Sequence, residues 1–298
     1  MRALSNPERQ GHLLALFTIF VWGTTFLSTS VLLRDFSPVE ILAARLLLAI
    51  AALTLAQPRR LRLKNRSHEW LFAGAGFFGV TLYFLLENVA LTYTYSANCS
   101  VIISTAPFFV AMAMRLFCGE EAMGRSFYIG FAVAIAGVAL VSFSGQQLSL
   151  NPLGDLLCVL AAVSWAGYNV FLKKIERCGY HNTLLITRRL FLYGLAFLLP
   201  FLFLLPRHAQ AASLLKPLNL LNLLYLGLCA SALCFVTWGM ALEKIGAVRT
   251  SVYIYLSPAV TILFAWLLLH DPIHPMALAG AALTLAGLLL SQRKEGSL

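Results

Sequence analysis

The stretch LLALFTIFVWGTTFLSTSVLL, residues 13–33, contains no charged side chain. A hydrocarbon core about 30 Å thick takes about 20 apolar residues in a helix, so this segment is long enough to cross it. No small-x-small cleavage pattern follows before the next apolar run, which marks the segment as a retained helix rather than a signal peptide. Working outward from it, runs of similar length bounded by charge, Pro or Gly recur. With the first, at 12 to 33, they cover 37 to 56, 69 to 91, 95 to 117, 126 to 144, 153 to 173, 182 to 205, 218 to 242, 247 to 269 and 274 to 291. Ten membrane-spanning helices are therefore expected.

The composition agrees. Of 298 residues, 60% are apolar and only 11% charged, against about 25% charged in soluble domains. The longest polar stretches, 57 to 67 and 206 to 217, are too short to fold independently. Chemistry must then take place in or beside the bilayer.

The net charge of +10 has a topological reading. With ten spans both termini share a side, and sixteen of the 22 Lys and Arg residues fall on that side, among them Arg59, Arg60, Arg62, Lys173, Lys174 and Arg177. Only Arg34, Arg207 and Lys216 fall on the other, while Arg45, Arg188 and Arg189 lie inside runs. That asymmetry predicts cytoplasmic termini and removes the case for nucleic-acid binding. The six cysteines form no C-x-x-C pair and read as small buried residues. Scattered histidines and the absence of a Gly-rich phosphate loop leave no metal or cofactor expected.

The halves match at a nearly fixed offset. Trp22 and Trp165 differ by 143 positions, as do Arg45 and Arg188; Pro107 and Pro258 differ by 151, as do Glu120 and Asp271. Gly130 and Gly137 match Gly280 and Gly287 at 150. Five crossings is an odd number, so a second five-helix copy inserts upside down relative to the first. The expected fold is all-α and integral to the membrane, with residues 1–148 and 149–298 as inverted five-helix repeats around a central cavity.

Trp22-Gly23-Thr24-Thr25-Phe26, Arg45, Ser104-Thr105-Ala106-Pro107, Gly119-Glu120, Gly154-Asp155 with Trp165, and Ser257-Pro258 resemble the EamA-type drug/metabolite transporters over essentially the whole chain. The resemblance implies a ten-helix carrier with cytoplasmic termini, and many members export amino acids or other small metabolites across an inner membrane. One departure is His270-Asp271 where the first copy has Gly119-Glu120.

Ionisable groups inside spans are functional candidates because hydrocarbon penalises them. Glu87 shares a helical face with Tyr83 and Gly76 and can bind an amine or carry a proton; alternatively it pairs with Asn88 or reaches the interface. Arg45 can grip a carboxylate through two parallel hydrogen bonds or form a structural ion pair, for instance with Glu40. Arg188 and Arg189 read as interface anchors. Trp165, Tyr168 and Asn169 line one helical face at i, i+3 and i+4, as do Trp22, Thr25 and Thr29. With Trp238, Tyr253 and Asn98, these suit a cavity for a medium-sized amphipathic solute. Pro107 and Pro258 are candidate hinges within their helices.

The resulting expectation is a secondary carrier, an exporter of amino acids or related metabolites, monomeric or dimeric, working with a proton or an exchanged solute and no cofactor. An integral-membrane enzyme acting on a lipid-linked substrate and a channel are the alternatives from other classes. Clustered carboxylates would favour the enzyme, but only Glu120-Glu121 approach that pattern.

Overall fold

The computed structural model describes residues 6–94, 96–121, 123–143, 151–204, 211–269 and 275–291. Every regular element among these is helical. Seven helices are long and apolar enough to cross a membrane: Asn6–Leu32, Pro38–Ala56, Arg66–Ala90, Cys99–Cys118, Pro152–Arg177, Thr183–Leu204 and Pro217–Ile245. They coincide with runs one to four and six to eight. The fifth run forms the helix Arg125–Phe143 and the tenth the helix Pro275–Ser291. The ninth divides into Ala247–Ser251, a tight 3-10 segment Val252–Leu256 and Ser257–Leu269. The His270-Asp271 pair lies outside the described residues.

Local chemistry sets the ends. Asn151 accepts hydrogen bonds from the backbone N–H groups of Leu153 and Gly154, each at 3.2 Å, ahead of Pro152 at the first helical position. That arrangement satisfies donors a helix start otherwise leaves orphaned. Ser37 and Glu40 form a reciprocal cap on the second run, with the Ser37 N–H and hydroxyl both donating to Glu40 Oε2 at 2.8 and 2.9 Å.

Two spans contain wide turns closed by i→i+5 bonds, at Phe77–Leu82 in the third run and Tyr225–Leu233 in the eighth. Wide turns misalign backbone groups, and side chains from other helices take them up. Ser164 donates to the Phe78 carbonyl at 2.7 Å, and the Trp22 indole donates to the Ala230 carbonyl at 2.9 Å. Thr81 donates to the Gly194 carbonyl at 2.8 Å. Close approach there depends on glycine: a Cβ at Gly76 would stand 2.6 Å from the Leu190 carbonyl oxygen, and one at Gly227 2.6 Å from Leu48 Cβ.

Pro107 lies within the span Cys99–Cys118, in the first turn of its segment Ala106–Cys118, and Pro258 is the second residue of Ser257–Leu269, which follows the 3-10 segment directly. The backbone turns at Ser104 and Thr105, whose hydroxyls donate to the carbonyls of Ser100 and Ile102 at 2.7 and 2.6 Å. A first-turn proline loses no helical hydrogen bond, which is why the turn falls before it.

The fifth and tenth runs pack on each other backbone to backbone. A Cβ at Gly137 would lie 2.5 Å from the Thr284 nitrogen, and one at Gly287 2.4 Å from the Ala134 nitrogen. Small residues permit such contact between membrane helices. The outside of the protein is apolar, with Leu116, Phe117, Phe203 and Leu204 exposed, as a lipid-facing surface requires.

Candidate functional site

Near the middle of the bundle, Trp22 and Trp165 meet edge to face with centroids 5.4 Å apart. Beside them lies a cavity of about 530 Å³ including its open mouth. Polar or amphipathic side chains on its wall are Trp22, Thr25, Arg45, Tyr83, Glu87 and Trp165. Phe84, Phe235, Ile103 and Ile254 supply apolar surface, and Ser257 sits where the 3-10 segment passes into the helix that carries Pro258.

Arg45 is buried and donates from Nε to the Ser231 hydroxyl at 2.9 Å. Its guanidinium carbon lies 4.1 Å from the Phe84 ring centre, a cation–π contact of about 2 kcal/mol when desolvated. Glu40 is occupied at its own helix cap, and no carboxylate among the described residues comes within ion-pair distance of Arg45. Its terminal nitrogens accordingly remain available to the cavity. Glu87, on the same cavity wall, faces Arg45 electrostatically and has Tyr83 one turn away. Its Oε2 is buried with no hydrogen-bond partner.

The matched tryptophans differ in state. Trp22 spends its N–H on the wide turn of the eighth run, whereas the buried Trp165 N–H has no acceptor. An unpaired buried polar atom costs about 1–3 kcal/mol. Two such atoms and a guanidinium on one cavity wall make a surface that offers donors at one place and an acceptor at another.

The remaining expected residues separate into groups. Tyr168 and Asn169 face a neighbouring cavity on the other side of the aromatic cluster. Trp238 is wholly buried, with its ring centre 5.0 Å from that of Trp22. Tyr253 bonds through its hydroxyl to His12 Nδ1 at 2.8 Å, and Asn88 donates to the Pro38 carbonyl at 3.3 Å, bracing one helix against another. Asn98 belongs to the helix Ser96–Ile103, and its side chain lies outside the description. Arg188 donates to the carbonyls of Gln57 and Arg59, and Arg189 to the Leu61 carbonyl and the Glu69 carboxylate. That pair binds down the loop after the second run.

Ser231, Phe84 and Phe235 were missed in the sequence. Phe84 and Phe235 are separated by the same 151 positions as the two prolines, so the repeat offset was the signal that could have found them. At the opposite end of the bundle from Arg188, Asp35 accepts from Lys216 at 2.8 Å and from Asn219 at 2.7 Å. The Lys216 bond, then the Asn219 bond, hold its carboxyl below the ordinary carboxylate range.

A membrane-length helical bundle with a polar-lined cavity amid aromatic walls is an arrangement that a small-molecule transporter requires. The EamA-like transporter family model matches residues 9–143 and residues 152–292; the chain belongs to that family. It is 31% identical to a protein named "uncharacterized transporter" from Archaeoglobus fulgidus, over 95% of this chain and 98% of that one. It is 30% identical to a "probable amino-acid metabolite efflux pump" of Salmonella typhimurium, over 95% of each chain. A "probable terminal-alkyne amino-acid exporter" of Streptantibioticus cattleyicolor is 28% identical, over 93% of this chain and 91% of that one. Among solved structures, one described as "Crystal structure of protein" superposes with a TM-score of 0.77 at 18% identity, covering 95% of this chain and 96% of the other; this likeness is one of fold.

Proposed function

We propose that this transporter exports amino acids or closely related zwitterionic metabolites by alternating access across a bacterial inner membrane, with both termini in the cytoplasm. The observation that carries the reading is the cavity wall that holds Arg45 and Glu87 beside the unpartnered Trp165 N–H. Arg45 and the Trp165 N–H suit a carboxylate, Glu87 suits an ammonium, and the aromatic and isoleucine walls suit an apolar side chain. Relatives named as amino-acid exporters support the same class.

Inverted five-helix repeats, 1–148 and 149–298, are the architecture behind this reading. Both halves match one family model. Wide turns occur in the third and eighth runs, and Gly76 and Gly227 occupy positions 151 apart beside them. The turn before Pro107 and the 3-10 segment before Pro258 are the matched places at which the halves would flex. The sequence carries no nucleotide-binding motif, so in this reading the energy comes from a proton gradient or from exchange unless a separate subunit supplies it.

Counterflow in liposomes tests the reading through the substrate's own charges. A zwitterionic amino acid should show saturable exchange that weakens in both Glu87→Gln and Arg45→Gln. The corresponding amine, lacking the carboxylate, should be indifferent to Arg45→Gln, and the deaminated acid indifferent to Glu87→Gln. If both variants transport all three solutes like the wild type, the cavity is not the amino-acid site.

A further inference from the structure

Beyond the aromatic cluster lies a second cavity, about 530 Å³ with its mouth, at the end of the bundle that carries Lys173 and Glu176. Tyr168 and Phe235 separate it from the central one: Phe235 lines both, and its ring centre lies 5.9 Å from that of Tyr168 and 6.1 Å from that of Trp165.

Two independent features set this cavity apart from a packing gap. Asn169 on its wall is completely buried; its Nδ2 donates to the Trp165 carbonyl at 2.8 Å, while its Oδ1 has no hydrogen-bond partner. The second feature is Gly239, inside the helix Cys234–Ile245 and also on the wall. Glycine there weakens the helix relative to alanine. At Gly79, Gly137 and Gly194 a Cβ would strike a neighbour at 2.1 to 2.5 Å, so close packing accounts for glycine at those positions. At Gly239 the nearest atom, Thr183 Cγ2, is 3.4 Å away. That is ordinary contact, so packing does not demand glycine; what the missing side chain preserves is room in the cavity.

We propose that this cavity is a second binding site for the transported zwitterion, an entry site at the basic end of the bundle. Asn169 Oδ1 accepts from the ammonium group. Lys173, one turn further along the same helix face and about 6 Å along the axis, receives the carboxylate. Lys173 gives one N–H to Glu176 at 3.1 Å and has two more donors to offer. The wall of Tyr168 and Phe235 then stands between entry site and central cavity. This assignment rests on reading the central cavity as an amino-acid site.

The test uses the full-length protein in right-side-out and inverted membrane vesicles, with radiolabelled leucine as the probe. Half-saturation is measured from each face, and the ratio of the two is the readout. Asn169→Leu should shift the ratio about fivefold through weaker entry at the basic face, the value of one hydrogen bond of about 1 kcal/mol. Gly239→Met, which fills the space, should shift it in the same direction. Gly239→Ala should do so more weakly while the helix becomes no less stable, which guards against a folding artefact. A ratio unchanged in folded Gly239→Met and Asn169→Leu overturns the entry site. If in the same vesicles Glu87→Gln weakens binding from both faces, the central-site reading survives that failure. If the wild type shows no saturable leucine flux from either face, both assignments fall together.

Discussion

The paired fifth and tenth runs and the centre of the bundle resolve the cost of membrane packing in opposite ways. In the pair, glycines bring backbones so close that a single added methyl would overlap a neighbour. At the centre, Glu87 Oε2 and the Trp165 N–H go without partners, a span turns before Pro107, and space is left open. In the pair, shape is filled completely; at the centre, polar groups are left without protein partners beside open space. The contrast predicts that stability and transport are separable by position.

The largest expected effect is on the pair. Gly137→Val should cost on the order of 3 kcal/mol, since the overlap is with backbone that cannot rotate away. Thermal unfolding in detergent would register the loss, while the protein that remains folded should keep its half-saturation. A Gly137→Val protein as stable as the wild type would remove one side of the comparison.

Next comes the reverse case. Glu87→Gln should raise half-saturation for an amino acid about tenfold, the loss expected for a hydrogen bond to a charged group, and should leave the unfolding temperature close to that of the wild type. A mutant that instead melts early and binds normally would make Glu87 part of the scaffold.

The matched tryptophans sharpen the comparison within the centre. Trp22→Phe forfeits the bond to the Ala230 carbonyl and should lower stability by about 1 kcal/mol. Trp165→Phe forfeits a donor that no protein group uses, so it should lower affinity a few-fold without destabilising. Equal behaviour of the two would mean that the Trp165 N–H has no ligand.

The smallest effect is expected at the surface latch of Asp35 with Lys216 and Asn219. Its carboxyl is held lower in the folded protein than in an unfolded chain. The contribution is therefore fully present above the ordinary carboxylate range and disappears as pH falls through the depressed value. Thermal stability of Asp35→Asn and the wild type should differ slightly at neutral pH and converge in acid; a gap that widens in acid would contradict this assignment.

Apolar runs and repeat spacing were legible because both depend on residue type alone. Trp22, Arg45, Tyr83, Glu87 and Trp165 could be proposed for one cavity because each is polar or aromatic deep in an apolar span. What joins Arg45 to Ser231 could not be read, since 186 positions separate them and a serine in a span has no distinctive signature. Nor could the sequence show that Asn169 and Trp165, neighbours on one helical face, serve different cavities. That division depends on where Phe235 and Tyr168 place their rings. Wide turns were hidden for a similar reason, because the groups that bond to their carbonyls, Ser164 and Trp22, come from other helices.

Those wide turns also determine angular phase. Each residue of an α-helix advances the side-chain direction by about 100°, whereas a wider turn advances it less, so an inserted wide segment resets the compass for everything downstream. Tyr83 and Glu87 follow the Phe77–Leu82 segment in the chain and owe their bearing on the cavity to it. Removing one residue from that segment, with every cavity side chain retained, would swing the carboxylate about a quarter-turn away from Arg45. The address of the charge is thus written in a stretch of backbone that carries no charge itself.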